Sequence, residues 1–269
     1  MMSKPRQVLV VEDNQMNLEL VCYMLEEMDY EYIVAEDGAV AVDKFKKDDV
    51  SLILMDCHMA GMDGFQATQE IRRIEGESFA GRRVPIIALT ANAVMGDKNK
   101  CLEIGMDDYL SKPFKFHQLQ ELMTKWLAIE QPFAVLSEEE QTVSEVVENE
   151  NSESEDIDFQ VIEGVCSDPA VIKQLIKAYF DQAQHILNEI RCAADNDDIN
   201  KLKFSAHTLK SSSANLGINN VAQICHDLEH WHLEKGNLSI PLLVSRLEQE
   251  FASAVPALQN YERHCCEKS

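Results

Sequence analysis

The chain has 269 residues, 45% of them hydrophobic, and a formal net charge of −23. That length exceeds one simple core and suits two ordinary domains. The charge excludes a nucleic-acid surface, which needs Lys and Arg against phosphates, and no apolar run reaches the ~18–20 residues of a membrane span.

Short apolar runs open the chain: "VLVV" (8–11), "YIVA" (32–35), "LILM" (52–55), "IIAL" (86–89) and "YLS" (109–111). Helical patterns lie between and after them, near 15–28, 38–47, 64–74, 97–104 and 115–127. Near-continuous apolar strands alternating with helices predict a parallel sheet of five strands covered on both faces, a doubly wound α/β domain over residues 1–127. Residues 128–158 follow as an acidic linker. From Glu130 to Asp158 stand eleven acids and no base. Such a segment buries too little surface to offset its chain entropy and is expected to act as an extended tether, with transient helix near Glu138–Val147.

Residues 159–269 carry no strand pattern and predict an all-α domain with helices near 169–193, 197–216, 219–234 and 240–263. Asp168–Pro169 reads as a cap followed by Pro at the first helical position, Gly217 as a stop, and Ser239 and Pro241 as the opening of the last helix. Long amphipathic helices with short connections predict an antiparallel bundle. The N-terminus breaks into acids too early for a secretory signal. Eight cysteines without CxxC spacing, Cys265–Cys266 in the C-terminal tail among them, read as reduced thiols of a cytoplasmic protein.

In a doubly wound sheet, function gathers at the carboxyl ends of the strands. Glu12 and Asp13 follow the first strand, Asp56 the third, Thr90 ends the fourth, and Lys112–Pro113 follows the fifth. Clustered carboxylates repel unless a hard cation sits among them, and Mg²⁺ takes a few such oxygens while keeping waters. A divalent ion, a lysine and a hydroxyl together suit a phosphoryl group in transfer, with one carboxylate as nucleophile. A single acid at a strand end is an ordinary turn former; five suitable residues at four strand ends are a site.

The second candidate lies in "AHTLKSSSANLG" (206–217). Leu202, Leu209 and Leu216 recur every seven residues, with Ala206 and Ser213 beside them, and mark the buried face. His207 points about 160° away from that stripe, at ~100° per residue. Lys210 lies one turn on, and Ser211 and Ala214 share the outer side. The phase excludes a core histidine and presents the imidazole to solvent on a surface of small side chains. An exposed neutral imidazole is a competent nucleophile towards an acyl phosphate, Lys210 can screen the arriving charge, and the small residues let a partner's aspartate approach. His226 and His230, four apart, have a metal-ligand spacing but no third ligand and read as a solvated helix flank.

The stretches "VLVVEDNQMN", "LILMDCHMAGMDG", "IIALTANA" and "DDYLSKPF" resemble, in order and spacing, a two-component receiver domain over residues 7–127. The resemblance implies a flavodoxin-like fold with Asp56 as phosphoacceptor, and Glu12, Asp13, Asp56 and the His58 backbone carbonyl around Mg²⁺. It implies Thr90 and Lys112 on the phosphoryl oxygens, a cis Lys112–Pro113 bond, Tyr109 as an aromatic switch, and slow self-hydrolysis of the aspartyl phosphate. Ala60 stands where the family usually has proline, and the His58 ring is expected at the pocket rim.

"AHTLKSSSANLG" and "HDLEHWHLEKG" resemble the histidine-phosphotransfer (HPt) module over about 160–265. That implies a four-helix bundle with His207 as phosphoacceptor, supported by Lys210. Ser211 occupies a position often held by glycine.

Together these imply a phosphorelay intermediate. Asp56 would accept a phosphoryl group from the phosphohistidine of an upstream sensor histidine kinase, and His207 would relay it to or from a receiver aspartate, that of another receiver downstream. A phosphate sink draining another regulator fits the same residues, as does the detached C-terminal portion of a hybrid sensor kinase. The Met1–Met2 start, close before the first strand, favours a free-standing protein over that last reading. No G-x-x-x-x-G-K-[ST] loop or glycine-rich nucleotide lid occurs, so a self-contained kinase is not expected. An aspartate-nucleophile phosphatase would need an acid where His58 stands. No basic recognition helix supports a DNA reader.

Overall fold

A computed structural model describes residues 7–78, 83–90, 95–127, 157–165, 168–231 and 239–267. The first half alternates β1 (Gln7–Val11), α1 (Gln15–Glu27), β2 (Glu31–Ala35), α2 (Gly38–Lys47), β3 (Val50–Asp56), α3 (Gly64–Ser78), β4 (Ile86–Thr90), α4 (Met95–Ile104), β5 (Asp108–Ser111) and α5 (Phe116–Leu127). The strands lie parallel in the order β2-β1-β3-β4-β5. The strand order turns back between β1 and β3, which opens a crevice at their carboxyl ends.

Alternate side chains of each strand feed two cores, as the period of two requires. Val8, Val10, Leu52, Leu54, Ile87 and Leu89 share one with α1 and α5, while Leu9, Val11, Ile53, Met55, Ile86 and Ala88 share the other with α2, α3 and α4. Side-chain caps fix the helix starts: Asn14 accepts from Asn17 N at 3.1 Å and Asp37 from Val40 N at 2.7 Å. Gly64 opens α3 directly against β3; a Cβ there would come within 2.0 Å of the Asp56 carbonyl.

The second half holds α6 (Phe159–Val165), α7 (Pro169–Asp195), α8 (Ile199–Asn215), α9 (Asn219–Glu229) and α10 (Ile240–Glu267). The last four pack as the expected bundle around Ile176, Tyr179, Leu209, Ile224 and Leu247. Asp168 caps α7 with Pro169 at its start, and Asp198 caps α8. Gly217 follows α8 at φ +68°, where a Cβ would meet the Asp158 carbonyl at 2.1 Å. The short α6 is absent from the sequence expectation because seven residues hold under two turns and show no period. It buries Ile162 and stacks Phe159 on Tyr261 with ring centroids 4.2 Å apart. Of the expected tether, only Ile157 and Asp158 are described residues, and Ile157 already belongs to the bundle core. The helix expected near Glu138–Val147 lies outside the described residues.

The two halves pack together through α1. That helix buries Met16, Leu20 and Met24 on one side and Leu18, Val21 and Leu25 on another. One continuous apolar cluster runs from the sheet through α1 into the bundle. An α-helix buried on two faces needs a second partner beyond its sheet, and α7 and α8 supply it.

Candidate functional site

The carboxyl ends of β1, β3 and β5 bring Glu12, Asp13, Asp56 and Lys112 together. Glu12 and Asp56 are buried. Lys112 Nζ donates to Glu12 Oε2 at 2.5 Å and to Asp56 Oδ2 at 2.7 Å. The backbone N–H of His58 donates to Asp56 Oδ1 at 3.1 Å, and that of Ala60 to Asp13 Oδ2 at 2.9 Å. Thr90 is buried at the end of β4, and its carbonyl accepts from Lys112 N at 2.6 Å, which anchors the loop carrying the lysine. The Lys112–Pro113 bond is cis, as expected. Tyr109 is half-buried on β5 against the α2–α4 core.

Charge is divided unevenly between the two buried acids. Burial raises the Glu12 carboxyl from 4.5 to about 8, with Asp56 adding to the rise and Lys112 opposing it. Burial also pushes Asp56 upward, but the Lys112 charge and hydrogen bond outweigh it, so Asp56 ends below its ordinary value. Asp56 therefore keeps its negative charge. Burial raises Asp13 as well. Ligand oxygens of Glu12, Asp13 and Asp56 lie within 4.8 Å of one another, the single such cluster among the described residues. An all-oxygen donor set with surplus negative charge fits a small hard cation.

The second site sits in the middle of α8. His207 Nδ1 lies 2.7 Å from Glu229 Oε1 of α9, and Lys210 Nζ donates to Glu229 Oε2. Burial pushes the Glu229 carboxyl up, yet the hydrogen bonds and charges of His207 and Lys210 outweigh it and lower it from 4.5 to about 2. A carboxylate held ionised cannot donate. Nδ1 must then carry the proton, which leaves Nε2 with its lone pair.

The expectation that His207 faces solvent needs correction. The imidazole lies on the outer face of its own helix, as its phase requires, but its side chain is only 13% exposed. The first domain covers it: the His58 and His207 rings lie 4.9 Å apart. His207 is close enough to act electrostatically on both Asp56 and Asp13. Ser211, expected on the outer side, is likewise buried. Asn14 Nδ2 reaches the Thr208 carbonyl at 3.3 Å, and Asn17 and Asn215 join the same seam.

Sequence reasoning missed Glu229, Asn14 and Asn17. Glu229 lies 22 residues from His207 on another helix, and no local spacing links them. Asn14 and Asn17 meet Thr208 and Ser211, each 194 residues away, across the seam. His226 and His230 stack at 4.3 Å and are about half exposed, at 50% and 49%, the solvated flank expected.

Each of the two domains carries one candidate nucleophile, Asp56 in the first and His207 in the second. The chain matches the response regulator receiver domain over residues 8–124 and the Hpt domain over residues 174–261. The chain thus holds a receiver domain and an Hpt domain in one polypeptide. It is 32% identical to sensor protein GacS of Pseudomonas syringae pv. syringae over 92% of its own length and 28% of that protein. It is 28% identical to the signal transduction histidine-protein kinase BarA of Shigella flexneri over 82% of its length and 23% of that protein. The chain thus spans about a quarter of the length of these relatives. Among solved structures, the receiver domain of a sensor histidine kinase of Pseudomonas aeruginosa PAO1 is 42% identical, covering 47% of this chain and 100% of that one, with a TM-score of 0.42. Among the described residues, no helix is long and apolar enough to cross a membrane.

Proposed function

We propose that the chain is a two-station phosphorelay in which Asp56 and His207 exchange a phosphoryl group within one molecule. The observation that carries this is the seating of His207 over the Asp56 pocket, its ring 4.9 Å from that of His58. The phosphoryl group first comes from the phosphohistidine of a partner sensor kinase. An Asp56 carboxylate oxygen attacks phosphorus, a P–O bond forms and the donor's P–N bond breaks. His207 Nε2 then attacks the same phosphorus, a P–N bond forms, and the aspartyl P–O bond breaks to restore the Asp56 carboxylate. The Nδ1 proton stays shared with Glu229, which balances the positive charge that develops on the ring.

Lys112 keeps Asp56 ionised and is placed to meet phosphoryl oxygens, with Thr90 beside it at the end of the neighbouring strand. Glu12, Asp13, Asp56 and the His58 backbone carbonyl are the groups that would hold Mg²⁺, which when bound neutralises charge on the carboxylates and the incoming phosphoryl group. At the second site, Lys210 offsets phosphoryl charge. A receiver aspartate downstream takes the group from His207. We assign residues 1–127 to the receiver, the acidic stretch from 128 up to Ile157 to a tether, and Ile157 onward to the HPt domain. The cysteine pattern supports a cytoplasmic setting.

Alignment with GacS over 92% of the chain supports a second reading, in which the same relay forms the C-terminal portion of a hybrid sensor kinase. The chemistry of Asp56 and His207 is the same in both.

The test is labelling with radioactive acetyl phosphate and Mg²⁺ of the unaltered chain, Asp56→Asn and His207→Gln. Phosphoaspartate is lost in alkali, whereas phosphohistidine survives alkali and is lost in acid. Alkali-stable label that requires both residues is the expected result. Label confined to Asp56 would overturn internal transfer, and no label on the folded chain would overturn the phosphorelay reading.

A further inference from the structure

The seam between the domains is polar at one place, beside the two nucleophiles. Asn17 on α1 donates through Nδ2 to Glu12 Oε1 at 3.0 Å and to Ser211 Oγ at 3.1 Å. Its Oδ1 accepts from Asn215 Nδ2 at 2.9 Å. Asn17, Ser211 and Asn215 are 2%, 6% and 5% exposed. Ser211 and Asn215 lie 194 and 198 residues from Asn17 in sequence, so neither of these two contacts is a local helix feature.

We infer that Asn17, Ser211 and Asn215 form a latch that selects the receivers with which His207 exchanges phosphoryl: those whose first helix presents a carboxamide where Asn17 stands. The inference rests on the phosphorelay reading above and names the partner surface for it.

The argument is one of donors and acceptors. Both Nδ2 protons of Asn17 are used, one within the receiver and one across the seam, and its oxygen is used across the seam. Among side chains of that size, a carboxamide is the one that offers two donor hydrogens together with an acceptor. Aspartate here would set a second carboxylate against Glu12 and lose both donors. An apolar residue would leave Ser211 Oγ and Asn215 Nδ2 buried without partners. Buried polar groups need partners, and leaving one unsatisfied costs more than the bond itself contributes. The apolar remainder of the seam tolerates sliding; directional bonds do not. The latch therefore sets the register in which His207 arrives over Asp56. Because Asn17 also holds Glu12, it ties that register to the carboxylate cluster itself.

The test is a competition between full-length chains. Donors carry His207→Gln and are labelled on Asp56 with acetyl phosphate, with either Asn17 or Asn17→Ala. Acceptors carry Asp56→Asn with His207 intact, and either Ser211 or Ser211→Ala. Both acceptors are mixed with one donor, and early alkali-stable label in each is read by mass spectrometry. Differences in donor labelling cancel within a tube. Any opening of an acceptor by its own substitution cancels between donors, which leaves the Asn17–Ser211 term alone. The Asn17 donor is expected to favour the Ser211 acceptor by about fivefold more than the Asn17→Ala donor does. Equal preference from the two donors would overturn the latch while leaving the relay intact. Absence of alkali-stable label from every pair, with the unaltered chain still labelled on His207, would confine transfer to one molecule and overturn the latch as a selector of other receivers; absence from the unaltered chain as well would overturn the relay.

Discussion

The two candidate phosphoryl sites are built from inverted ion pairings. In the receiver, one lysine bridges two carboxylates, Glu12 and Asp56, with Asp13 close by. In the HPt domain, one carboxylate, Glu229, bridges a histidine and a lysine. The first arrangement holds surplus negative charge and resists a phosphoryl dianion until a cation joins it. The second is near neutral and can take the dianion as it stands. The same group passing between them should therefore depend on metal at one station and not at the other.

Removing the divalent ion tests that contrast most severely. With EDTA, acetyl phosphate labelling of Asp56 is expected to fall to background, while phosphoryl already on His207 is retained through the same treatment. Metal-independent labelling of Asp56 would erase the distinction between the sites.

Exchanging the lysines should give the next largest effect. Lys112→Met removes the only cation that Glu12 and Asp56 share among the described residues, and Asp56 phosphorylation is expected to drop by about 10²–10³-fold. Lys210→Met leaves Glu229 still paired with His207, and a loss of about tenfold in transfer to His207 is expected. Comparable losses in both would show that the two lysines do the same job.

Glu229→Gln should cost about tenfold in transfer to His207, with Asp56 labelling unchanged. It also carries a pH signature. Glu229 is lowered from 4.5 to about 2, so its contribution to folding is complete above about 4.5 and is lost as pH falls towards 2. In urea unfolding, the stability gap between the native chain and Glu229→Gln should be constant above that range and close below it.

The smallest effect belongs to a core bond away from the chemistry. The Tyr179 hydroxyl meets Ser213 Oγ at 3.0 Å, inside the bundle and beneath the helix that carries His207. Tyr179→Phe is expected to cost about 1 kcal/mol in urea unfolding, with both labelling reactions unaltered. A change in labelling without a change in stability would assign the hydroxyl a part in the site.

Much of this was legible before any coordinates. Strand and helix positions follow from apolar periods of two and 3.6, and β3 and α8 came out within two residues of their expected bounds. The receiver's charged residues were legible because a parallel sheet delivers the end of each strand to one edge, so order along the chain maps onto one place in space. The phase of His207 on α8 was also correct. Its surroundings were not, because phase says which way a side chain points from its own helix and nothing about what lies there.

Sequence by itself determined the doubly wound sheet, the bundle and the acidic stretch between them, and singled out Asp56 and His207 as candidate nucleophiles, since each depends on local period or on residue type at a given position. Only the tertiary structure decided that Glu229 sets the His207 tautomer, that Asn17 meets Ser211 and Asn215, and that the histidine is covered by the receiver. These are contacts between residues 22 to 198 apart. They depend on how two helices or two domains turn towards each other, and no short-range pattern encodes that rotation. The one trace left in the sequence is α1, apolar on two faces where its sheet needs one, which marks a second surface to be covered without naming what covers it.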